Sequence, residues 1–169
     1  MTQRSHHHCK GLTLIELAAV TVLLGLFAVM LSISARGFGD VPAVHAAQLS
    51  IEQAWTQVRM QARARHRPTA LVFEVGASRV GVVLDGMKPS SWIDLGGVKI
   101  SRAGFRGVSP VTAGPFTLKL SASGSALPWA IQLERGSTRC VLAGTGVTGR
   151  IHAWPDRSLE QVDLHEEIP

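Results

Sequence analysis

The sequence lacks the motifs by which most enzymes are identified. It contains no G-x-S-x-G, H-E-x-x-H, C-x-x-C or P-loop pattern. Outside the N-terminal His run, its histidines do not have the spacing of metal ligands. These histidines are His45, His66, His152 and His165. Carboxylates at a spacing suited to acid–base catalysis occur only near the C-terminus. We therefore expect no enzyme, with neither catalytic residues nor a bound metal.

Cysteine is also scarce, since the chain contains only Cys9 and Cys140. Two thiols form at most one disulfide, and removal of an N-terminal leader that contains Cys9 would leave Cys140 alone, so no disulfide framework is expected in the mature monomer. Cys140 lies between Arg139 and Val141 in a strand-like stretch, which favours a small buried side chain over a reactive thiol. The sequence therefore predicts a structural role for Cys140.

Lysine and arginine are absent from residues 12–33, which form a long apolar run of 22 residues. As a helix, this run would extend roughly 33 Å, enough for a hydrocarbon core of about 30 Å. Glu16 is its one charged residue, and a carboxylate in such a helix costs about 2.5–3.5 kcal/mol at mid-bilayer and less near an end. A cut after Gly11 would give Leu12 a new α-amino group, which could pair with Glu16 in the same chain or in a neighbour. The run therefore predicts a transmembrane helix whose acid meets an amine.

Residues 10–16 read Lys-Gly-Leu-Thr-Leu-Ile-Glu and resemble the signature of the type IV prepilin family, in which a short basic leader ends in glycine. The resemblance implies that residues 1–11 are a leader and that a prepilin peptidase cuts between Gly11 and Leu12. It also implies that the new N-terminus at Leu12 is methylated, and that Glu16 guides assembly into a filament.

Two other interpretations of the N-terminus fit less well. An ordinary secretory signal peptide has an apolar core of about 7–15 residues without a charge, whereas this run is longer and contains Glu16. In a plain transmembrane anchor, Glu16 would be tolerated close to the interface and would have no role in assembly.

The charges on either side of the run indicate its orientation. Arg4 and Lys10 precede it, whereas Arg36 is soon followed by Asp40. Because positive charges favour the cytoplasmic side, we expect a cytoplasmic N-terminus, a single pass through the lipid of the inner membrane, and a periplasmic C-terminal part. The formal net charge of +5 permits an acidic partner without requiring one.

Residues 34–67 are predicted to form a hinge followed by an amphipathic helix. Gly37, Gly39 and Pro42 lower the helix propensity, so we expect a kink or an unwound turn near them. Apolar residues then recur at spacings of three and four, and Pro68 should end the helix by Arg67. The apolar stripe consists of Val44, Ala47, Ile51, Ala54, Trp55, Val58 and Ala62. Such a stripe usually packs on the domain's own sheet.

Residues 68–155 change to the period-two alternation typical of β-strands. The predicted strands lie near 71–75, 79–84, 116–121, 129–134, 138–143 and 150–154, with short candidates at 92–95, 98–101 and 105–108 in a region without assigned chemistry. Because no helical pattern separates them, we expect an α+β fold. In it, a long N-terminal helix, half transmembrane and half amphipathic, packs on an antiparallel sheet or sandwich.

Residues 144–149 match G-x-G-x-x-G, the fingerprint of dinucleotide-binding proteins. The motif binds a pyrophosphate only where a helix begins within it. Here a strand-like segment ended by Pro155 follows. We therefore interpret the glycines as a turn and expect no cofactor.

Residues 156–169 form an acidic tail with five acids and one arginine. We hypothesise that the tail is attracted to the arginines at the end of the amphipathic helix, although exposed ion pairs contribute at most about 1 kcal/mol each. These arginines are Arg59, Arg63, Arg65 and Arg67.

The layout resembles the minor pseudopilin H family of type II secretion systems, which is GspH/FimT-like. The resemblance implies a subunit of a periplasmic pseudopilus that supports protein export, with prepilin peptidase, other pseudopilins and the inner-membrane assembly platform as partners. FimT-like minor pilins, implicated in DNA uptake, carry a Gly-Arg-x-Arg segment that corresponds here to residues 149–152. Arg150 and His152 are thus possible DNA contacts, but a largely neutral histidine and the acidic tail argue against nucleic acid. A structural subunit of a type IV pilus is a third interpretation.

Overall fold

The computed structural model describes residues 14–84, 88–146 and 148–161, with the backbone alone for residues 31–38. The chain divides between Gly37 and Phe38 into two compact units. Helix α1 (Leu14–Phe38) lies almost entirely in the first unit, and the second begins with α2 (Asp40–Arg65). The predicted long N-terminal helix, half transmembrane and half amphipathic, is not confirmed; α1 and α2 are two separate elements. Gly39, a residue of low helix propensity, lies between them, in the segment where a kink or an unwound turn is predicted.

The predicted apolar stripe of α2 is confirmed. Its buried residues are Val44, Ala47, Ile51, Ala54, Trp55, Val58 and Ala62. The helix ends at Arg65, and His66 adopts a left-handed conformation with φ 52°, from which its N–H donates to the carbonyls of Ala62 and Arg63. This C-terminal cap satisfies carbonyls that have no partner within the helix.

The described residues after α2 form eight strands in two antiparallel sheets of four. The strands are β1 (Thr69–Val75), β2 (Arg79–Val83), β3 (Ser91–Asp94), β4 (Lys99–Phe105), β5 (Gly114–Leu120), β6 (Trp129–Arg135), β7 (Thr138–Gly144) and β8 (Ile151–Pro155). The first sheet has the order β3-β2-β1-β5 and the second the order β4-β6-β7-β8. The predicted α+β class is therefore confirmed.

The region between β2 and β5 confirms one of the three predicted short strands, since the candidate at 92–95 corresponds to β3. Strand β4 is one element that shifts its register against β6 between Ile100 and Arg102, so a bulge interrupts the alternation on which the prediction depended. The candidate strand at 105–108 is wrong: Phe105 ends β4 and a turn follows, in which Gly107 has a φ of 75°.

Helix α2 packs on both sheets, with contacts to β1, β2, β6 and β7. Trp55 of α2 meets Trp129 of β6 edge to face, with ring centroids 5.5 Å apart, and Phe73 of β1 lies 5.5 Å from Trp129. At the start of α2, Arg135 bridges Asp40 (Nε to Oδ1, 3.2 Å) and the carbonyl of Gly96 (Nη1 to O, 2.8 Å). The helix is therefore fastened to the sheets along its apolar stripe and at its first turn.

Candidate functional site

Helix α1 has an apolar surface along residues 14–30, the part whose side chains the structure describes. Leu14 is 87% exposed, Phe27 64% and Met30 72%. The hydroxyl of Thr21 donates to the carbonyl of Ala18 at 2.9 Å, so this polar group is satisfied within the helix. A large exposed apolar surface marks contact with lipid or with another protein. Within the described part of the chain, no helix is both long enough and apolar enough to cross a membrane.

Glu16 is the one ionisable residue among residues 14–30. It lies exposed in the first turn of α1, where the partial positive charge of the helix start favours a carboxylate. Glu16 is thus the one position on this surface where a charge can interact with a neighbouring cation. Gly11 and Leu12, the predicted cleavage pair, lie outside the described residues.

Arg150 and His152, the possible DNA contacts, lie at the end of the last hairpin. Arg150 is exposed in the loop between β7 and β8, and His152 is partly buried on β8, its ring 5.9 Å from that of Trp154. Arg150 precedes the first residue of β8, so only His152 of the two lies on the strand.

The loop at 144–149 connects two antiparallel strands, as the turn interpretation predicted. The N–H of Thr145 donates to the carbonyl of Arg150 at 3.0 Å, and the N–H of Gly149 to that of Thr145 at 2.9 Å. Strand β8 begins at Ile151, so a strand follows these glycines, whereas the dinucleotide motif requires a helix there.

Sequence reasoning missed that α2 holds this loop. Trp55 Nε1 donates to the carbonyl of Gly149 at 2.9 Å, and Arg59 Nη1 donates to that of Thr148 at 3.2 Å. Burial, and to a lesser extent the charge of Arg63, lower the pKa of the Arg59 guanidinium. The one sign of this contact in the sequence is the glycine at position 149. Gly149 has a φ of 71°, and a Cβ there would fall on the Arg59 guanidinium, so the position favours glycine.

Helix α2 also holds the loop between β5 and β6. Arg59 Nε donates to the carbonyl of Gly124 at 2.9 Å, and Arg63 Nε donates to that of Ser123 at 2.9 Å. Two arginines of one helix thus meet two loops, one of which carries Arg150. This end of the domain is basic, since residues 53–73, 121–133 and 144–155 contain no acid.

The described part of the acidic tail contacts the second sheet. Glu160 forms an ion pair with Arg102 of β4, and the N–H of Leu159 donates to Oε1 of Gln132 at 2.8 Å. The predicted contact with the arginines of α2 stays a prediction for the acids beyond residue 161, which lie outside the described residues.

Groups that could support catalysis are few in the described part of the chain. No three His, Cys, Asp or Glu side chains come together there as metal ligands. Cys140 is buried in β7, and burial raises the pKa of its thiol, which lowers the fraction of nucleophilic thiolate. The hydroxyls of Ser121, Ser123 and Ser125 bond to one another at 2.7–2.9 Å.

No protein-family model, no curated protein and no solved structure matches this chain. The features that indicate a function are therefore its own: the exposed apolar helix with Glu16, and the basic loops at one end of the domain.

Proposed function

We propose that the protein is a minor pseudopilin of a type II secretion system. It assembles through α1 into a periplasmic pseudopilus that supports protein export across the outer membrane. One observation carries the proposal: α1 exposes an apolar surface whose single ionisable residue is Glu16, directly after the Lys-Gly-Leu-Thr-Leu-Ile segment that resembles a prepilin cleavage site. The separate α+β unit that follows α1 is consistent with a periplasmic head on a membrane-anchored helix.

Before assembly, residues 12–33 lie in the lipid of the inner membrane, with the N-terminus in the cytoplasm and the domain in the periplasm. This segment extends at both ends beyond residues 14–30, whose side chains the structure describes. Prepilin peptidase cuts after Gly11 and methylates Leu12. The inner-membrane assembly platform then transfers the subunit to other pseudopilins.

Glu16 supplies the register of assembly. Left without a cation in lipid, its carboxylate costs about 2.5–3.5 kcal/mol. The amine of Leu12 on a neighbouring subunit removes that cost at only one relative height of the two helices. Glu16 therefore raises the free energy of an isolated α1 in lipid, and this cost is removed only when the helix is assembled at the correct height beside its neighbour.

Replacement of Glu16 by leucine tests this role. We expect Glu16→Leu to be cut and inserted normally, but to enter the pseudopilus at least about tenfold less, because the carboxylate–amine pair is lost. Co-purification with other pseudopilins from the native host measures incorporation. Thr21→Val, a polar residue changed in the same helix, should behave as wild type. Normal incorporation of Glu16→Leu, or an uncut and unmethylated N-terminus by intact-mass analysis, contradicts the proposal.

The basic end of the domain favours a second candidate, a FimT-like minor pilin that binds DNA for uptake. Arg59 bonds to the loop that carries Arg150, and Arg63 bonds to the loop between β5 and β6, so two further arginines support this candidate. Phosphate contacts predict an affinity that falls steeply with salt and weakens in Arg150→Ala. Absent or salt-independent binding eliminates this candidate. Co-purification with motility pilus proteins in place of other pseudopilins would indicate the third candidate, a structural pilus subunit.

A further inference from the structure

The outer face of the second sheet is covered by the chain's own C-terminal segment. Ala130, Val141 and Ala143 form a buried apolar floor on this face, and Trp154 and Leu159 pack against it. Leu159 belongs to residues 157–161, which follow β8; we call these residues the strap. Because the floor side chains are small, the strap backbone can lie close to the sheet.

The strap is held by contacts that a competing segment could replace. The N–H of Leu159 donates to Oε1 of Gln132, which is only 3% exposed and whose Nε2 donates to Glu134 at 2.6 Å. Glu160 pairs with Arg102, but its side chain is 71% exposed, so water and salt weaken the pair. Gln132 is therefore a preformed acceptor, buried and aimed at a backbone N–H.

The strap does not fill the face that it covers. Beside it lies a cavity of about 190 Å³, of which Leu159 and Glu160 form one wall. The opposite wall consists of apolar residues and glycines from β4 and the turn after it: Gly104, Phe105, Gly107, Val108 and Pro110. The site has room for one more apolar side chain than the strap supplies.

We propose that this face is a binding site for an extended segment of a partner protein in which an apolar residue is followed by an acidic one. The strap occupies the site in the isolated chain and is displaced when the partner binds. The partner's backbone N–H bonds to Gln132, its apolar residue covers the floor and its carboxylate pairs with Arg102. A second apolar residue fills the cavity.

The charge around the site favours an acidic partner. Arg102 and Arg106, both exposed or partly exposed, lie on β4 and in the turn that follows it. Of the two, Arg102 contacts the strap directly through Glu160, and Arg106 lies in the turn between the cavity-lining residues Phe105 and Gly107. The binding surface lies in the unit that contains α2, so its test does not depend on Glu16.

A peptide tests the site directly. The probe is a fluorescent peptide with the sequence of residues 157–164, Arg-Ser-Leu-Glu-Gln-Val-Asp-Leu. It is titrated against the full chain in detergent micelles by anisotropy. We expect it to bind Leu159→Asp, whose strap can no longer cover the floor, at least about tenfold more tightly than wild type, because the intact strap competes from a short tether.

A charge reversal separates specific binding from misfolding. On the Leu159→Asp background, Arg102→Glu should lower the affinity for the peptide by up to about fivefold, which corresponds to the loss of one exposed ion pair. A peptide with lysine in place of Glu160 should regain the lost affinity when the protein carries Arg102→Glu. The same peptide should bind more weakly when Arg102 is intact. Absence of binding to Leu159→Asp, equal binding to wild type, or failure of the charge reversal to restore affinity overturns the proposal. None of these results changes the prediction for Glu16.

Discussion

Two buried tryptophans in contact differ by one hydrogen bond. Trp55 and Trp129 are 1% and 0% exposed, and their rings meet edge to face. Trp55 Nε1 donates to the carbonyl of Gly149, whereas Trp129 Nε1 has no partner among the described residues. A buried N–H without a partner costs free energy, so the two indoles contribute unequally to stability.

The same substitution at both positions measures this difference. Trp55→Phe and Trp129→Phe remove the same atoms, but only Trp55→Phe breaks a hydrogen bond and leaves a carbonyl unpaired. We expect Trp55→Phe to lower the free energy of unfolding by about 1 kcal/mol more than Trp129→Phe. Urea unfolding of the full chain in micelles, followed by far-UV circular dichroism, compares them. Equal losses would show that the bond to Gly149 has no net effect.

At the scale of elements, α2 joins the sheets through the loops at one end of the domain. Its apolar stripe is buried against the strands, while Trp55, Arg59 and Arg63 bond to carbonyls of the loops after β5 and β7. In each of these bonds a side-chain N–H donates to a backbone carbonyl that is not paired within a sheet. The loops are therefore held by the helix and not by their own turns alone.

The substitution Gly149→Ala tests whether Arg59 holds the β7–β8 loop, and Gly107→Ala is the matched control. Both glycines have a left-handed φ, 71° and 75°, but a Cβ at Gly107 meets nothing within 4 Å. Gly107→Ala should cost roughly 1–2 kcal/mol of backbone strain. Gly149→Ala should cost about 1 kcal/mol more, because the displaced Arg59 loses its bonds to the loop carbonyls.

A double mutant isolates that difference. On an Arg59→Ala background the two alanine substitutions should cost the same free energy of unfolding, since no guanidinium remains to be displaced. A persistent excess cost at Gly149 would mean that something other than Arg59 holds the loop. Both series are measured by the same urea titration in micelles.

At the scale of the whole molecule, Cys140 reports on the integrity of the fold. It is 4% exposed in β7, and burial, followed by the charge of Asp156, raises the pKa of its thiol. At a given pH the native thiol therefore holds less thiolate than a free cysteine. Burial of the sulfur and the low thiolate fraction both oppose its reaction in the folded state.

In a Cys9→Ser chain, we expect maleimide to label Cys140 only through opening of the domain. A substitution that removes about 1.4 kcal/mol of stability should then speed labelling about tenfold. Ser137→Cys on a Cys140→Ser background, an exposed site in the same hairpin, should label rapidly whatever the stability. Rapid labelling of Cys140 in the native chain would contradict its burial.

The helical stripe of α2 and most strand positions were predictable because they follow local periodicity. The sheets were not, since β1 pairs with β5 and β4 with β6 across intervening strands. The extent of β4, which runs beyond the predicted short strand at 98–101, escaped prediction for a related reason. Its register shift after Ile100 breaks the alternation that a period-two pattern requires.

The sequence alone determined what depends on neighbours in the chain: the apolar run with one acid, the stripe of α2, the alternation of the strands and the hairpin at 144–149. Only the tertiary structure decided that Arg59 and Arg63 hold two distant loops, and that the strap lies on Gln132 and Arg102. Periodicity and turn chemistry act over a few residues and are readable in order. Contacts between residues far apart depend on how the sheets close around α2, and that closure leaves no local pattern in the sequence.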